Sequence, residues 1–134
     1  MKKKGILNSR LSMIIASLGH TDQMVIGDAG LPLPRNAEIV DLAVSANIPR
    51  FLEVLKAVLQ ELVVEKAIVA TEIQKINHGV WDEIKKLLNG VELEFVTHDE
   101  FKRLYRESNN TVFVRTGEST PYANIILISG VNFS

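Results

Sequence analysis

Two hydrophobic periodicities alternate along this chain, and any fold it adopts has to bury both. Leu11, Ile14, Ile15 and Leu18 recur at helical spacing, whereas Met24 to Gly27 and Lys66 to Thr71 are apolar runs of strand length, and the switch repeats to the C-terminus. Asn8 or Ser9 caps the first helix, and Gly19 is placed to end it as the C′ residue. Glu38 to Val44 alternates as a second strand, and Asn47-Ile48-Pro49 opens a helix with Phe51, Leu52, Leu55, Val58, Leu59 and Leu62 inward. A helix from about His78 to Leu88 stops at Gly90, after which Val91, Leu93 and Phe95 alternate with Glu92 and Glu94 as a half-exposed strand should. A short helix over Asp99 to Arg106 and strands at Thr111 to Thr116 and Ile125 to Ser129 complete the series. This order predicts one α/β domain over residues 1–134, three layers deep (α/β/α), with a mostly parallel, mixed sheet.

Composition removes several classes of function. Lys and Arg number 15 against 16 Asp and Glu, so there is no basic excess for a phosphate backbone to attract, and no nucleic-acid partner is expected. Lys2 to Lys4 look like the start of a secretory signal, yet only Gly5 to Leu7 precede polar Asn8, and no later run reaches membrane-spanning length. With no cysteine there are no disulfides, thiolate nucleophiles or Cys-ligated zinc, and the expected home is the cytoplasm, away from membranes. The three histidines are scattered without a His-x-x-x-His pair, and no dinucleotide fingerprint, P-loop or nucleophile elbow occurs. Neither a metal nor a nucleotide cofactor is therefore expected. The remaining inventory of His, Asp, Lys, Tyr and Asn suits hydroxyl binding and proton movement.

Within that inventory one stretch stands out: LGHTDQMVIGDAGLPLP, Leu18 to Pro34, sets His20 before a buried strand and Asp28 after it. Ligands of α/β sheets gather beyond the carboxyl ends of strands, where Asp28, Thr97-His98 and Thr116-Gly117 all fall. His20 lies past a helix C-terminus, where the macrodipole favours an imidazolium by about 0.3 to 1 kcal/mol, a bias toward acting as an acid. Asp28, next to Gly30, is free to accept hydrogen bonds from hydroxyls. Each residue taken alone also has a structural reading. His20 reads as a cap for last-turn carbonyls, Asp28 as an Asx turn, and His98 as a helix start with Lys102 on the solvated face. Tyr122 reads as core filler and Asn124 as a strand-entry turn. Arg115 and Glu118 bracket Thr116-Gly117 as holders of that turn, and His78 carries no assigned role.

Together, however, the segments KKKGILNS, LGHTDQMVIGDAGLPLP, ATEI (Ala70 to Ile73), THDEFK (Thr97 to Lys102) and RTGESTPYANIIL (Arg115 to Leu127) resemble the D-ribose pyranase family. The resemblance runs in order over essentially the whole chain, within a larger pyranase and fucose mutarotase superfamily. GHTD, DAGLP and PYAN resemble the ribose branch, whereas the fucose branch tends to carry GHGD, DAHFP or DANFP, and a YGN ending. Gly27 departs from it, since several relatives carry Ala or Cys before the aspartate. The resemblance implies that His20 is the proton donor, and that Asp28, His98, Lys102 and the Tyr122, Ala123 and Asn124 of PYAN bind the sugar. It further implies an α/β/α layered fold, no cofactor, a monosaccharide substrate, D-ribose, and decamers of two stacked five-membered rings with sites at subunit boundaries.

The implied activity converts ribopyranose to ribofuranose by opening the hemiacetal, rotating the aldehyde and reclosing through another hydroxyl. Such a reaction needs a base at the anomeric hydroxyl and an acid at the ring oxygen. With His20 as the acid, Asp28 orients the sugar hydroxyls or His20 itself, and His98 is the second proton-transfer group. Tyr122 offers a flat apolar face plus a hydroxyl, and Asn124 pairs donor with acceptor on a vicinal diol. The identity of the base stays open. A mutarotase that interconverts anomers and a non-catalytic sugar-binding subunit would use the same residues, and both stand as alternatives.

Overall fold

The computed structural model describes residues 1–133. Its strands are β1 (Gln23–Gly27), β2 (Glu38–Asp41), β3 (Val64–Ala70), β4 (Glu92–Val96), β5 (Thr111–Arg115) and β6 (Ile125–Ser129). The helices are α1 (Ser9–Ser17), α2 (Phe51–Leu59), α3 (Ile73–Ile76), α4 (His78–Leu87) and α5 (His98–Glu107). All six strands join one sheet in the order β2-β5-β1-β6-β3-β4. β1 and β2 each run parallel to β5, and β3 runs parallel to β4, while β6 lies antiparallel between β1 and β3. The direction of β6 follows from its connection. Residues 116–124 step over the end of β1 without a crossover helix, and a link that stays at one end of a sheet must enter the next strand in reverse. The mostly parallel, mixed α/β sheet is the fold class read from the sequence.

Alternate residues of the central strands face opposite layers, as the pleat requires. Met24, Ile26, Val112, Val114, Ile125 and Leu127 pack against α1, α2 and α4. Val25, Ile68, Phe113 and Ile126 face the other way, onto Phe101 and Tyr105 of α5 and onto Leu31. α1 begins as its sequence dictates, with the Asn8 side chain accepting from Leu11 N at 2.9 Å. α2 buries Phe51, Val54, Leu55 and Val58, with Leu52 and Leu59 only partly covered.

Three expectations are corrected. Gly19 is not a left-handed C′ residue. Leu18 leaves α1 in extended conformation, Gly19 N donates to Asp22 Oδ2 at 2.8 Å, and the positive φ of 71° falls on Thr21. β2 stops at Asp41 rather than Val44, because the chain turns back on itself and Val44 N donates to Ile48 O at 2.9 Å. The four-residue helix α3 was not foreseen, its single buried side chain, Ile73, being too little to make a period.

Candidate active site

The parallel strands β1, β4 and β5 end, and the antiparallel β6 begins, on the same edge of the sheet. That edge gathers Asp28, Thr97-His98, Thr116-Gly117 and the Tyr122-Ala123-Asn124 entry to β6. Between them lies a cavity of about 350 Å³ lined by Asp28, Ala29, Gly30, His98, Glu118 and Tyr122 among others. Its size falls in the range of small-molecule sites. A larger groove of about 640 Å³, bordered by Arg35 and Arg106, lies elsewhere. The two buried side-chain atoms that lack a partner among the described residues, His98 Nδ1 and Asn124 Nδ2, belong to residues of the first edge.

Asp28 forms the Asx turn that its neighbour Gly30 permits: Gly30 N donates to Asp28 Oδ1 at 2.9 Å. Its own backbone N–H donates to Asn124 Oδ1 at 2.8 Å, so the fully buried Asn124 fixes where the carboxylate leaves β1. Burial pushes the Asp28 carboxyl above the ordinary carboxylate value. The hydrogen bond from Gly30, the neighbouring Asn124 side chain and Leu31 N–H, and the nearby His98 oppose that shift. Gly27 leaves room for this arrangement. A Cβ there would sit 2.8 Å from Leu31 Cδ2 and 3.2 Å from Asn124 Oδ1.

His98 is the first residue of α5, behind Thr97, whose hydroxyl accepts from Glu100 N at 3.2 Å as the N-cap. Both oxygens of Glu72 accept from His98 N, at 3.0 and 3.1 Å. The imidazole meets the Tyr122 ring edge-on at 5.1 Å between centroids and stacks over Phe101 at 6.4 Å. Phe101 in turn packs on Tyr105, whose hydroxyl donates to Pro32 O beside the cavity. Tyr122 itself holds φ at 60°, an uncommon conformation for a bulky residue and one that marks a constrained site. Asn124 N closes the turn by donating to Tyr122 O at 2.9 Å.

Asp28, His98, Tyr122 and Asn124 are thus brought together. Ala123 has a fully buried side chain in the core, so only its backbone is available to a ligand. Lys102 stands one turn along α5, 3.5 Å from Asp99, and does not line the cavity. His20 lies at the other edge of the sheet. Its Nε2 is 3.0 Å from Glu65 Oε2, and both side chains are about half exposed, at 53% and 43%. The length of β1, about 13 Å at 3.3 Å per residue, separates the two edges, so Asp28 does not orient His20 within one chain.

Sequence reasoning missed Glu72, Asn77 and Tyr105, and read Glu118 only as a turn holder. Glu118 is 2% exposed. A buried carboxylate between two strands has no signature in one sequence, since its partners come from elements far away in the chain.

A six-stranded mixed sheet, with a carboxylate, an imidazole and a tyrosine around a small cavity at one edge, defines a small α/β protein built to handle a hydroxyl-rich ligand. Residues 1–132 match the model of the RbsD / FucU transport protein family, and the chain belongs to that family. It is 52% identical to the D-ribose pyranase of Geobacillus thermodenitrificans over the whole of both chains. It is 49% identical to that of Coprothermobacter proteolyticus, over 99% of this chain and all of the other. The structure of Bacillus subtilis RbsD complexed with D-ribose superposes with a TM-score of 0.92 at 44% identity, covering 99% of this chain and 100% of that one. The fucose mutarotase of Streptococcus pneumoniae shares the fold at a TM-score of 0.79 and 19% identity, with 95% of each chain covered.

Proposed function

We propose that this chain is a D-ribose pyranase, an isomerase that interconverts the pyranose and furanose forms of D-ribose, acting as one domain over residues 1–134. The convergence of Asp28, His98 and Tyr122 on a monosaccharide-sized cavity, in a chain up to 52% identical to proteins named D-ribose pyranase, carries this reading. Ring opening removes the proton from the anomeric hydroxyl, breaks the bond between the anomeric carbon and the ring oxygen, and protonates that oxygen. The free aldehyde rotates and is attacked by the C4 hydroxyl, which loses its proton as the carbonyl oxygen gains one. General acid and base catalysis supplies about 10² to 10⁴ over water in such transfers. Asp28 is suited to accept hydrogen bonds from sugar hydroxyls, and its raised pKa brings it nearer to the range of a useful base. His98 presents an unpartnered Nδ1 for a second transfer. Tyr122 gives a face and a hydroxyl to the ring, and Asn124 holds Asp28 while keeping Nδ2 unsatisfied for the sugar. Lys102 contributes positive charge from one turn along α5, outside the cavity lining.

His20 is the proton donor of this scheme, and it must come from a second copy, because its own chain carries it to the far edge of the sheet. Exposed apolar side chains support assembly: Leu7 is 66% exposed, Met13 60% and Val44 79%, and closed rings bury such surface symmetrically. We place these contacts in a decamer of two stacked five-membered rings with sites at subunit boundaries, and the enzyme in the cytoplasm on the route of ribose breakdown. No helix of the described residues is long and apolar enough to cross a membrane.

Magnetisation-transfer NMR on ribose tests the reading, since it resolves pyranose and furanose forms and both anomers at equilibrium. Protein-dependent exchange between ring sizes is expected. Exchange confined to the anomers of one ring size would make the chain a mutarotase, and no exchange with retained binding would make it a sugar-binding subunit.

A further inference from the structure

Glu118 borders the cavity, yet both of its carboxylate oxygens already accept hydrogen bonds from the protein itself. Its Oε1 accepts from Phe51 N, the first residue of α2, at 3.0 Å. Its Oε2 accepts from Thr120 Oγ1 at 2.7 Å and Thr120 N at 3.3 Å, and lies 3.5 Å from Arg50 Nη1. α2 has no side-chain cap of its own from Arg50, so a carboxylate from a distant loop takes that place, where the helix dipole favours negative charge. The Glu118 backbone is equally committed. Its carbonyl accepts from Ala29 N at 2.9 Å, immediately after Asp28, and its N–H donates to Thr116 Oγ1 at 3.1 Å.

The Thr120 hydroxyl is shared from the other side. Asn77, at the junction of α3 and α4, donates from Nδ2 to Thr120 Oγ1 and to Pro121 O, both at 2.8 Å. One threonine hydroxyl therefore donates to Glu118 and accepts from Asn77, so that the segment that delivers Tyr122 is held at two points, the start of α2 and the α3–α4 junction. This segment must also support the positive φ of Tyr122, which a loose loop would relax.

We propose that Glu118, Thr120 and Asn77 form a positioning network for the sugar site, which sets the place of Tyr122 against Asp28 and His98 without touching the reacting atoms. The inference rests on the pyranase reading of the same cavity. Its function is geometric. Two engaged carboxylate oxygens and a two-way hydroxyl restrict the loop to one arrangement, and the Ala29 bond ties that arrangement to the Asp28 turn.

Thr120→Val, Thr120→Ser and Asn77→Asp test it in the full-length protein. Glu118→Gln alone would be a poor choice, because its amide replaces an acceptor with a donor against buried N–H groups and threatens folding. Valine keeps the shape of threonine and removes the hydroxyl, and aspartate removes both donors of Asn77. Both variants are expected to raise the KM for ribose at least fivefold in NMR exchange, with loss of kcat/KM coming mainly through KM and the pH profile unmoved. Thr120→Ser is expected to stay within twofold of wild type. A rise of less than fivefold in both disruptive variants, or a serine variant no better than valine, overturns the proposal. Thermal melting measured alongside separates a purely structural role, which would lower Tm while leaving KM in place. A wild-type protein without ring exchange overturns the pyranase reading itself, an outcome distinct from an active wild type with indifferent variants.

Discussion

Asp28 is held where its charge is costly. Burial raises its pKa above the ordinary value of 3.8, so the folded state prefers the protonated form. The stability this contributes is fully present below the unfolded value and is lost as pH rises through the folded one. At neutral pH the ionised carboxylate thus weakens the fold for the sake of the site. Asp28→Asn keeps an oxygen for Gly30 N and removes the charge. It is expected to melt at the wild-type temperature or a few degrees higher at pH 7, with that advantage vanishing below the ordinary carboxylate range, while ring exchange falls about 100-fold or more. The same shift places the acid limb of the exchange profile above 3.8, once the spontaneous rate is subtracted at each pH. A variant that both lost stability at pH 7 and kept its exchange would show Asp28 to be an ordinary turn residue. His20 and Asp28 drew attention in the sequence because charged residues flank a buried strand, and that signal is local. The partners of Asp28 were not legible, since Asn124 reaches it across 96 residues of chain.

At the scale of elements, periodicity was readable wherever a single face is buried. The strands fell within a few residues of expectation because their apolar runs are short and bounded, and α1 followed from Asn8 and its apolar stripe. What periodicity does not carry is the set of connections, whose conformation is decided by tertiary partners. Gly117 illustrates this. A Cβ there would meet Ser45 O and lie 2.7 Å from Ile48 O and 2.8 Å from Ile48 N, because the 45–49 turn packs directly on the loop after β5. Gly117 N donates to Pro49 O at 2.9 Å, and Asn47 Oδ1 accepts from both Ser119 N and Ser119 Oγ at 3.0 Å. Gly117→Ala is therefore expected to cost about 1 to 3 kcal/mol as backbone is forced apart, and to impair exchange because the same loop carries Glu118 and Tyr122. Asn8→Ala serves as the contrast. It removes the cap of α1 and is expected to cost about 1 kcal/mol, read by denaturant unfolding, with ring exchange unchanged. Equal loss of exchange in both variants would mean that global stability, and not the loop, governs activity.

For the whole molecule, His20 and Asp28 stand on opposite edges of one sheet in a chain of 134 residues, and the proposed assembly is what would bring them together. In the proposed ring, a copy docking edge to edge would bring the His20 of one chain to the cavity of the next, with Glu65, 3.0 Å from its Nε2, beside the imidazole. If the site is shared, two inactive proteins should rescue one another. His20→Ala lacks the acid but has an intact cavity, and Asp28→Asn has the acid but a disabled cavity. Dissociated, mixed in equal amounts and reassembled, they place an intact His20 beside an intact Asp28 by chance in about a quarter of the subunit boundaries of a closed ring, half for each residue. Exchange is expected to recover to roughly that fraction of wild type, while each variant carried alone through the same treatment stays inactive. Recovery should depend on subunit mixing, so proteins combined without dissociation gain nothing until they exchange subunits. A site completed within one chain gives no rescue at any ratio, and in that case the acid would have to be sought among residues already at the cavity, with His98 the first candidate.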